Sequence, residues 1–329
     1  MRLGLIARAD DGGLGTLTRE FARHLKVERA LIVDLGHKAR GETHLERIKN
    51  SVAEARSVGH PFGDEAIEWL VKDLDVVYTA ETPYNQSVLL AAEKHGCRVV
   101  LHAMPELLKD NYKQAEIWLP TTWHANDIKH TRIMPVPVAL DRFDYSERTE
   151  VKTMLHIPGE AMLDRNGTDL LMAALAKVKT ELRLIVAGSK MLERKVGNVT
   201  VIGRPHAKEY WQNYTKDIDL LAMPRRYGGL CLPVQEAAAC GIPSLMLDLE
   251  PQTDWPVFNV PAQAQSRARM AGGTFDTHTT SPNLLAAAIE AIAGSREIAL
   301  ASQRARQWAE ALSWEEWKTV YEKSLLGLK

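Results

Sequence analysis

Residues 224–243 read Pro-Arg-Arg-Tyr-Gly-Gly-Leu-Cys-Leu-Pro-Val-Gln-Glu-Ala-Ala-Ala-Cys-Gly-Ile-Pro. A turn at Gly228-Gly229 leads into a short apolar run. Glu236 then opens an Ala-rich helix that stops at Gly241-Ile242-Pro243. A carboxylate at the start of such a helix, behind flexible backbone with free N–H groups, suits a ligand carrying both hydroxyls and phosphates. The N–H groups face the anion and the carboxylate accepts from the hydroxyls.

The surroundings repeat one pattern. Apolar runs at 152–157, 182–188, 199–203, 220–223 and 244–248 read as buried strands. Residues 168–179, 206–216, 236–240 and 283–292 read as helices between or after them. The first half has the same rhythm, with strands at 2–8, 29–36, 75–80, 98–103, 116–120 and 132–137. Helices fall at 83–95 and after the loop 9–15, with Thr16 or Thr18 as the cap. Short apolar strands alternating with amphipathic helices imply parallel, doubly wound sheets. The period restarts near 145–151, so two α/β domains are expected, each binding its ligand at strand carboxyl ends. Residues 250–282, rich in Pro, Gln, Thr and Gly, read as a long loop with one or two short strands.

Composition agrees. At 329 residues the chain exceeds one ordinary core. Its 45% apolar and 25% charged residues are those of a globular protein, and a net charge of −1 supplies no general attraction to nucleic acid or anionic membrane. Cys97, Cys231 and Cys240 lack metal-ligand spacing and suit a reducing cytoplasm. Asp10-Asp11 follow the first strand too closely for a signal peptide, and no apolar run is long enough to span a bilayer. The expected location is cytoplasmic. HExxH, a Gly-Lys-Ser/Thr phosphate loop and an ordered GxGxxG are absent, which argues against a zinc site, a kinase or NTPase, and a dehydrogenase.

The stretch 224–243 resembles the donor-binding signature of family 4-like retaining glycosyltransferases of the GT-B fold. That pattern runs Glu, seven residues, Glu, Ala, then Gly-x-Pro. Three further segments are similar to family motifs, in the family's order. Residues 133–143 (Ile-Met-Pro-Val-Pro-Val-Ala-Leu-Asp-Arg-Phe) match the interdomain segment, Asp164–Leu171 the "KGxdxLlxA" helix start, and Leu312–Trp317 the terminal "fsWexxa" helix. The resemblance implies two Rossmann-like domains facing a central cleft. Residues 1–145 would form the acceptor-side domain, with a terminal helix over 312–329 packing back on it. Residues 150–311 would bind a nucleotide-sugar donor, with closure about 137–150 on binding.

It also implies roles, residue by residue. Glu236 would accept from ribose hydroxyls; the other reading is a Glu that complements a helix dipole. Gly228 stands where the family has its first Glu, so only backbone remains there, with Gly229 beside it. Asn166 replaces the family Lys, leaving Arg165 as the phosphate clamp, with Lys190 and Arg225 as possible helpers. Arg226 could equally contact phosphate or solvent. Gly12 and Gly13 match a loop near donor phosphate and acceptor. His102 matches a histidine that touches the donor sugar, although a strand-end His is often structural. Glu81 and Glu106 are candidates for acceptor hydroxyls, and Asp10 or Asp11 for a base if the reaction inverts.

The expected activity is therefore transfer of a sugar from a nucleotide-diphosphate donor to a hydroxyl acceptor, with retention, without metal and without a further cofactor. A glycan, lipid, protein or modified DNA could be the acceptor. The basic stretch His37, Lys38, Arg40, Arg47 and Lys49 favours DNA and the neutral net charge opposes it. The departures at 228 and 166 leave a non-catalytic sugar-nucleotide binder as the reading from another class.

Overall fold

The computed structural model describes residues 1–39, 43–112, 114–128, 131–159, 164–205 and 215–328. The chain divides into two compact units. The first comprises Met1–Pro137, Ala271–Gly273 and Trp314–Lys329; the second comprises Val138–Met270 and Thr274–Ser313.

The first unit contains β1 (Leu3–Arg8), α1 (Gly13–His24), β2 (Val27–Asp34), α2 (Leu45–Lys49), β3 (Val52–Gly59) and α3 (Asp64–Val71). There follow β4 (Val76–Ala80), α4 (Ser87–Lys94), β5 (Arg98–His102), β6 (Glu116–Leu119) and β7 (Thr131–Ile133). The strands form one sheet in the order β3-β2-β1-β4-β5-β6-β7, every pair parallel. A parallel sheet is covered on both faces, which is why β1 and β4 are mostly apolar and buried. Ile6, Leu31, Val77, Val99 and Ile117 line one face and pack with Ile67, Leu70 and Val88 from α3 and α4.

The second unit contains β8 (Thr153–His156), α5 (Thr168–Leu175), β9 (Leu182–Ala187), β10 (Arg194–Val196), β11 (Val199–Arg204) and β12 (Leu220–Ala222). Then come α6 (Leu232–Ala239), β13 (Ser244–Asp248), β14 (Phe258–Pro261), the hairpin β15 (Gln263–Met270) and β16 (Gly273–Thr279), α7 (Pro282–Ala293) and α8 (Ile298–Ala311). Its sheet runs β10-β11-β9-β8-β12-β13-β14, parallel except for β10. Side chains alternate between faces with period two. Met154, Leu184, Leu220 and Leu245 pack toward α5 and α7, whereas Leu155, Ile185, Leu221 and Met246 pack toward α6. Ser281 caps α7 by accepting from the Leu284 N–H at 3.1 Å, with Pro282 in the first turn.

The terminal helix α9 (Trp314–Leu325) belongs to the first unit. The Tyr321 hydroxyl donates to the Pro135 carbonyl at 2.8 Å, and Arg98 donates to the Leu325 carbonyl at 2.9 Å. Phe21, Tyr78, His102, Trp118, Trp314 and Tyr321 form one aromatic cluster beneath it.

Several expectations are corrected. Neither Thr16 nor Thr18 caps α1: the cap position is Gly12, and the Thr18 hydroxyl bonds within the helix and to Arg8. Residues 36–75 hold α2, β3 and α3, and 250–282 hold three strands rather than a long loop. α6 starts at Leu232, not Glu236, because Pro233 fits a first turn where no N–H is needed. α8 was not read as a helix. The helix expected over 206–216, apart from its last two residues, lies outside the described residues, as does Arg40.

Candidate functional site

In a doubly wound sheet the ligand crevice opens where the strand order reverses. In the second unit that point lies between β8 and β12, since β8 is followed by β9 on one side and flanked by β12 on the other. Two loops leave the carboxyl ends there, 157–167 and 223–231.

His156, the last residue of β8, spans this gap. Its Nδ1–H donates to the Ala222 carbonyl at 2.8 Å, so its Nε2 must accept from the Thr168 hydroxyl, also at 2.8 Å. The tautomer follows because a carbonyl can only accept. Burial holds its pKa down at about 4, so the imidazole is neutral. It ties β8, β12 and the first turn of α5 together. The Arg226 N–H donates to the Arg165 carbonyl at 2.9 Å, joining the two loops directly.

Their side chains converge on Gly228. Its φ is +110°, a region that L side chains rarely adopt. A Cβ placed there would lie 2.3 Å from Arg165 Nη2 and 2.5 Å from Arg225 Nη2. Glycine is therefore the condition for two guanidinium groups to meet, and a carboxylate side chain has no room. Arg165 also lies over the Tyr227 ring, 5.2 Å from its centroid, and Arg225 Nε donates to the Tyr227 carbonyl at 3.0 Å. Arg225 is only 5% exposed.

The other candidates of this unit separate. Glu236 sits in the second turn of α6, half-buried, so the dipole of the first turn does not explain it. Asn166 is buried; its Nδ2 donates to the Ile157 carbonyl at 2.9 Å, leaving Oδ1 buried and without a hydrogen bond among the described residues. That oxygen accepts hydrogen bonds and cannot replace a phosphate-binding lysine. Arg226 donates to the His278 carbonyl at 3.0 Å and to Gln265 Oε1, so it clamps the β15–β16 hairpin. Lys190 is exposed in the loop after β9. Gly229 is buried beside Gly228.

The first unit reverses between β1 and β4. Asp10 is buried, ion-paired with Arg8 at 2.7 Å, and accepts from the Gly12 N–H at 3.1 Å. The Gly12 N–H is thereby committed within the loop rather than offered to a phosphate; Gly13, exposed, begins α1. Gly15 is fixed by close approach: a Cβ there would stand 1.9 Å from the Asp10 carbonyl. Asp11 is exposed and 2.5 Å from His44 Nε2. Glu81, at the end of β4, is half-buried in the left-handed region with φ +58°.

His102 departs from its expected role. Its ring is fully buried in the aromatic cluster, 2.8 Å from the Tyr78 hydroxyl, and burial holds its pKa down at about 4. The strand end turns this ring into the core of the unit, so it faces no surface. Glu106 is likewise completely buried, in the turn Pro105–Leu107. Within the basic stretch, Lys49 pairs with Glu46 at 2.7 Å. No group of three His, Cys, Asp or Glu suited to a metal occurs among the described residues, and no described helix is long and apolar enough to cross a membrane. His156 and Tyr227, which join the two loops at the switch point, were missed from sequence. A histidine on the last position of a strand was the available signal for the first.

Comparison with known proteins decides the class. Residues 155–255, which hold both loops, match the family described as glycosyl transferases group 1. The second unit thus carries a match to a glycosyltransferase family, and the whole chain has the GT-B fold. The chain superposes on Anabaena HepE in complex with UDP and glucose, at 13% identity and TM-score 0.68, over 99% of this chain and 100% of that one. It is similar to the sucrose-phosphate synthase of Thermosynechococcus elongatus (13% identity, 99% and 100% covered, TM-score 0.63). The lipopolysaccharide outer core galactosyltransferase WaaB gives 13%, 99% of each chain and 0.61. At these identities the likeness is one of fold. No curated protein sequence matches the chain.

Proposed function

We propose that this chain is a glycosyltransferase that moves a sugar from a nucleoside-diphosphate donor bound by the second unit to a hydroxyl acceptor bound by the first. The convergence of Arg165 and Arg225 on Gly228, at the switch point of the sheet, carries this reading. Two fixed cations suit the two charges of a diphosphate and stabilise it as it leaves. Glu236, on the helix that follows, would accept from ribose hydroxyls, as the resemblance implies. The group 1 match over residues 155–255 and the UDP and glucose held by the HepE complex support a sugar nucleotide as donor. The resemblance at 224–243 supports retention. Charge neutralisation by the two arginines supports a reaction that needs no metal. A soluble location in the cytoplasm follows from the sequence reading.

The test is a thermal-shift screen with uridine, guanosine, adenosine and thymidine diphosphate sugars. A ligand that binds only the folded chain raises the melting temperature by mass action. One nucleotide should raise it by several degrees, and Arg225→Ala should remove the gain. A flat response to all four would overturn the reading.

A further inference from the structure

Arg165 lies in a turn, not on a strand or helix, so its guanidinium meets that of Arg225 only if the turn itself is held. The turn runs over Asp164–Gly167, directly before α5. Asp164 closes it. Its carbonyl accepts from the Gly167 N–H at 2.9 Å, its Oδ1 from the Thr168 N–H at 2.6 Å and its Oδ2 from the Asp169 N–H at 3.2 Å. The last two N–H groups belong to the first turn of α5, where the helix supplies no acceptor. A carboxylate bridging them makes charge-assisted bonds and complements the positive end of the helix. It also takes the place that an anion would otherwise hold there, which leaves phosphate binding to the arginine side chains.

The other side of the turn is fixed by the loop that carries Arg225. Gly167, with φ +72°, approaches that loop so closely that a Cβ would stand 2.2 Å from the Pro224 carbonyl oxygen. The Arg165 carbonyl accepts from the Arg226 N–H at 2.9 Å. Arg165 thus sits between two anchors, Asp164 with α5 on one side and the segment Pro224–Arg226 on the other. Asp164 has φ +49°, a left-handed conformation that aspartate adopts more readily than most residues but still at some strain.

We propose, on the donor reading above, that Asp164 is a positioning residue. By bridging the Thr168 and Asp169 N–H groups it sets the turn that brings the Arg165 guanidinium to Arg225. It acts through Arg165, since a carboxylate repels phosphate. Its two effects on an anion therefore have opposite sign. Removing a negative charge next to a guanidinium tightens anion binding by electrostatics alone, whereas removing the group that places the guanidinium weakens it.

Calorimetry with inorganic pyrophosphate, and with UDP, GDP, ADP and dTDP, separates the two. Asp164→Gly accepts the left-handed backbone but lacks the carboxylate. It should weaken binding of pyrophosphate, and of whichever nucleotide binds, by about tenfold. Asp164→Asn keeps an acceptor for the Thr168 N–H and tolerates the same φ, so it should recover to within about threefold of the unaltered protein. In an Arg165→Ala background, Asp164→Gly should lower affinity by less than about twofold, because no guanidinium is left to place. Asp164→Gly binding as tightly as the unaltered protein, or tighter, overturns the proposal. An equal loss in both backgrounds also overturns it, by marking a general loosening of the unit. Should Asp164→Gly fail to fold, Asp164→Asn decides: pyrophosphate bound about threefold tighter or more shows that charge alone matters and overturns it, and any weaker binding supports it. Pyrophosphate binding with none of the four nucleotides removes the donor reading and leaves this test in place. No binding of either by the unaltered protein sinks both.

Discussion

The two switch points occupy the same place in similar sheets and carry opposite charge. Between β1 and β4 the side chains are Asp10, Asp11 and Glu81, each near a strand end, and the cations there, Arg8 and Arg19, are engaged with aspartates. Between β8 and β12 they are Arg165 and Arg225, brought together over a glycine. A parallel sheet offers both units the same crevice; the loop residues decide what it holds. Carboxylates accept from hydroxyls, whereas paired guanidinium groups fork onto phosphate oxygens. On the proposed function, donor and acceptor roles are written in loop charge, not in the sheets.

The contrast is most exposed at Gly228. Gly228→Ala forces a Cβ into the space of two guanidinium nitrogens at φ +110°. Losing two charge-assisted contacts of about 1.5–3 kcal/mol each predicts donor affinity lower by about 100-fold or more in calorimetry. Binding within a few-fold of normal would break the comparison, since it would mean that the arginines do not act as a pair.

Next come the arginines singly. Arg165→Ala or Arg225→Ala should each weaken nucleotide binding by about tenfold to 100-fold. Arg226→Ala should leave it within about threefold, because that side chain is occupied with His278 and Gln265 of the hairpin. Equal losses from all three would show a diffuse basic surface in place of a site.

How much of this was legible depends on whether the information was local. Buried parallel strands such as Leu3–Arg8 and Leu182–Ala187 are apolar but for one arginine each and read directly. β3, Val-Ala-Glu-Ala-Arg-Ser-Val-Gly, is an edge strand with one free side and largely exposed residues, so no apolar run marks it. The β15 strand Gln-Ala-Gln-Ser-Arg-Ala-Arg-Met is held by its hairpin partner β16, a pairing invisible to composition. At the site, the Gly228-Gly229 turn and Arg165 were both visible. Their meeting was not, because more than sixty residues separate them and only the order of β8 and β12 joins them. His102 misled for the converse reason: strand position is local, but the turn of its ring toward Tyr78 and Trp118 depends on α9, from the far end of the chain.

The two units also share a device, and it gives a test by pH. His102 in one and His156 in the other are buried and neutral, with pKa values lowered by burial from 6.5 to about 4. Unfolding exposes them, so below about pH 6.5 the unfolded chain binds more protons and stability falls as pH drops. The loss continues until the folded pKa near 4 is passed, at up to about 1.4 kcal/mol per pH unit for each histidine. Urea unfolding at pH 7 and pH 5 should show His156→Gln and His102→Gln each losing part of that slope. An unchanged slope in either variant would show that its histidine is not held neutral.

The smallest expected effects divide Glu236 from Lys190. Glu236 is half-buried in α6, and Glu236→Ala should weaken nucleotide binding by about tenfold, the worth of one charge-assisted hydrogen bond to a ribose hydroxyl. Lys190 is exposed beyond β9, where an unfixed ammonium contributes little, and Lys190→Ala should change binding by less than about 0.5 kcal/mol. If calorimetry reverses the order, with Lys190 carrying the larger loss, the cationic half of the site lies toward β9. The pairing of Arg165 with Arg225 over Gly228 would then be a packing arrangement of the loops, and the contrast between the two switch points would lose its meaning for the donor.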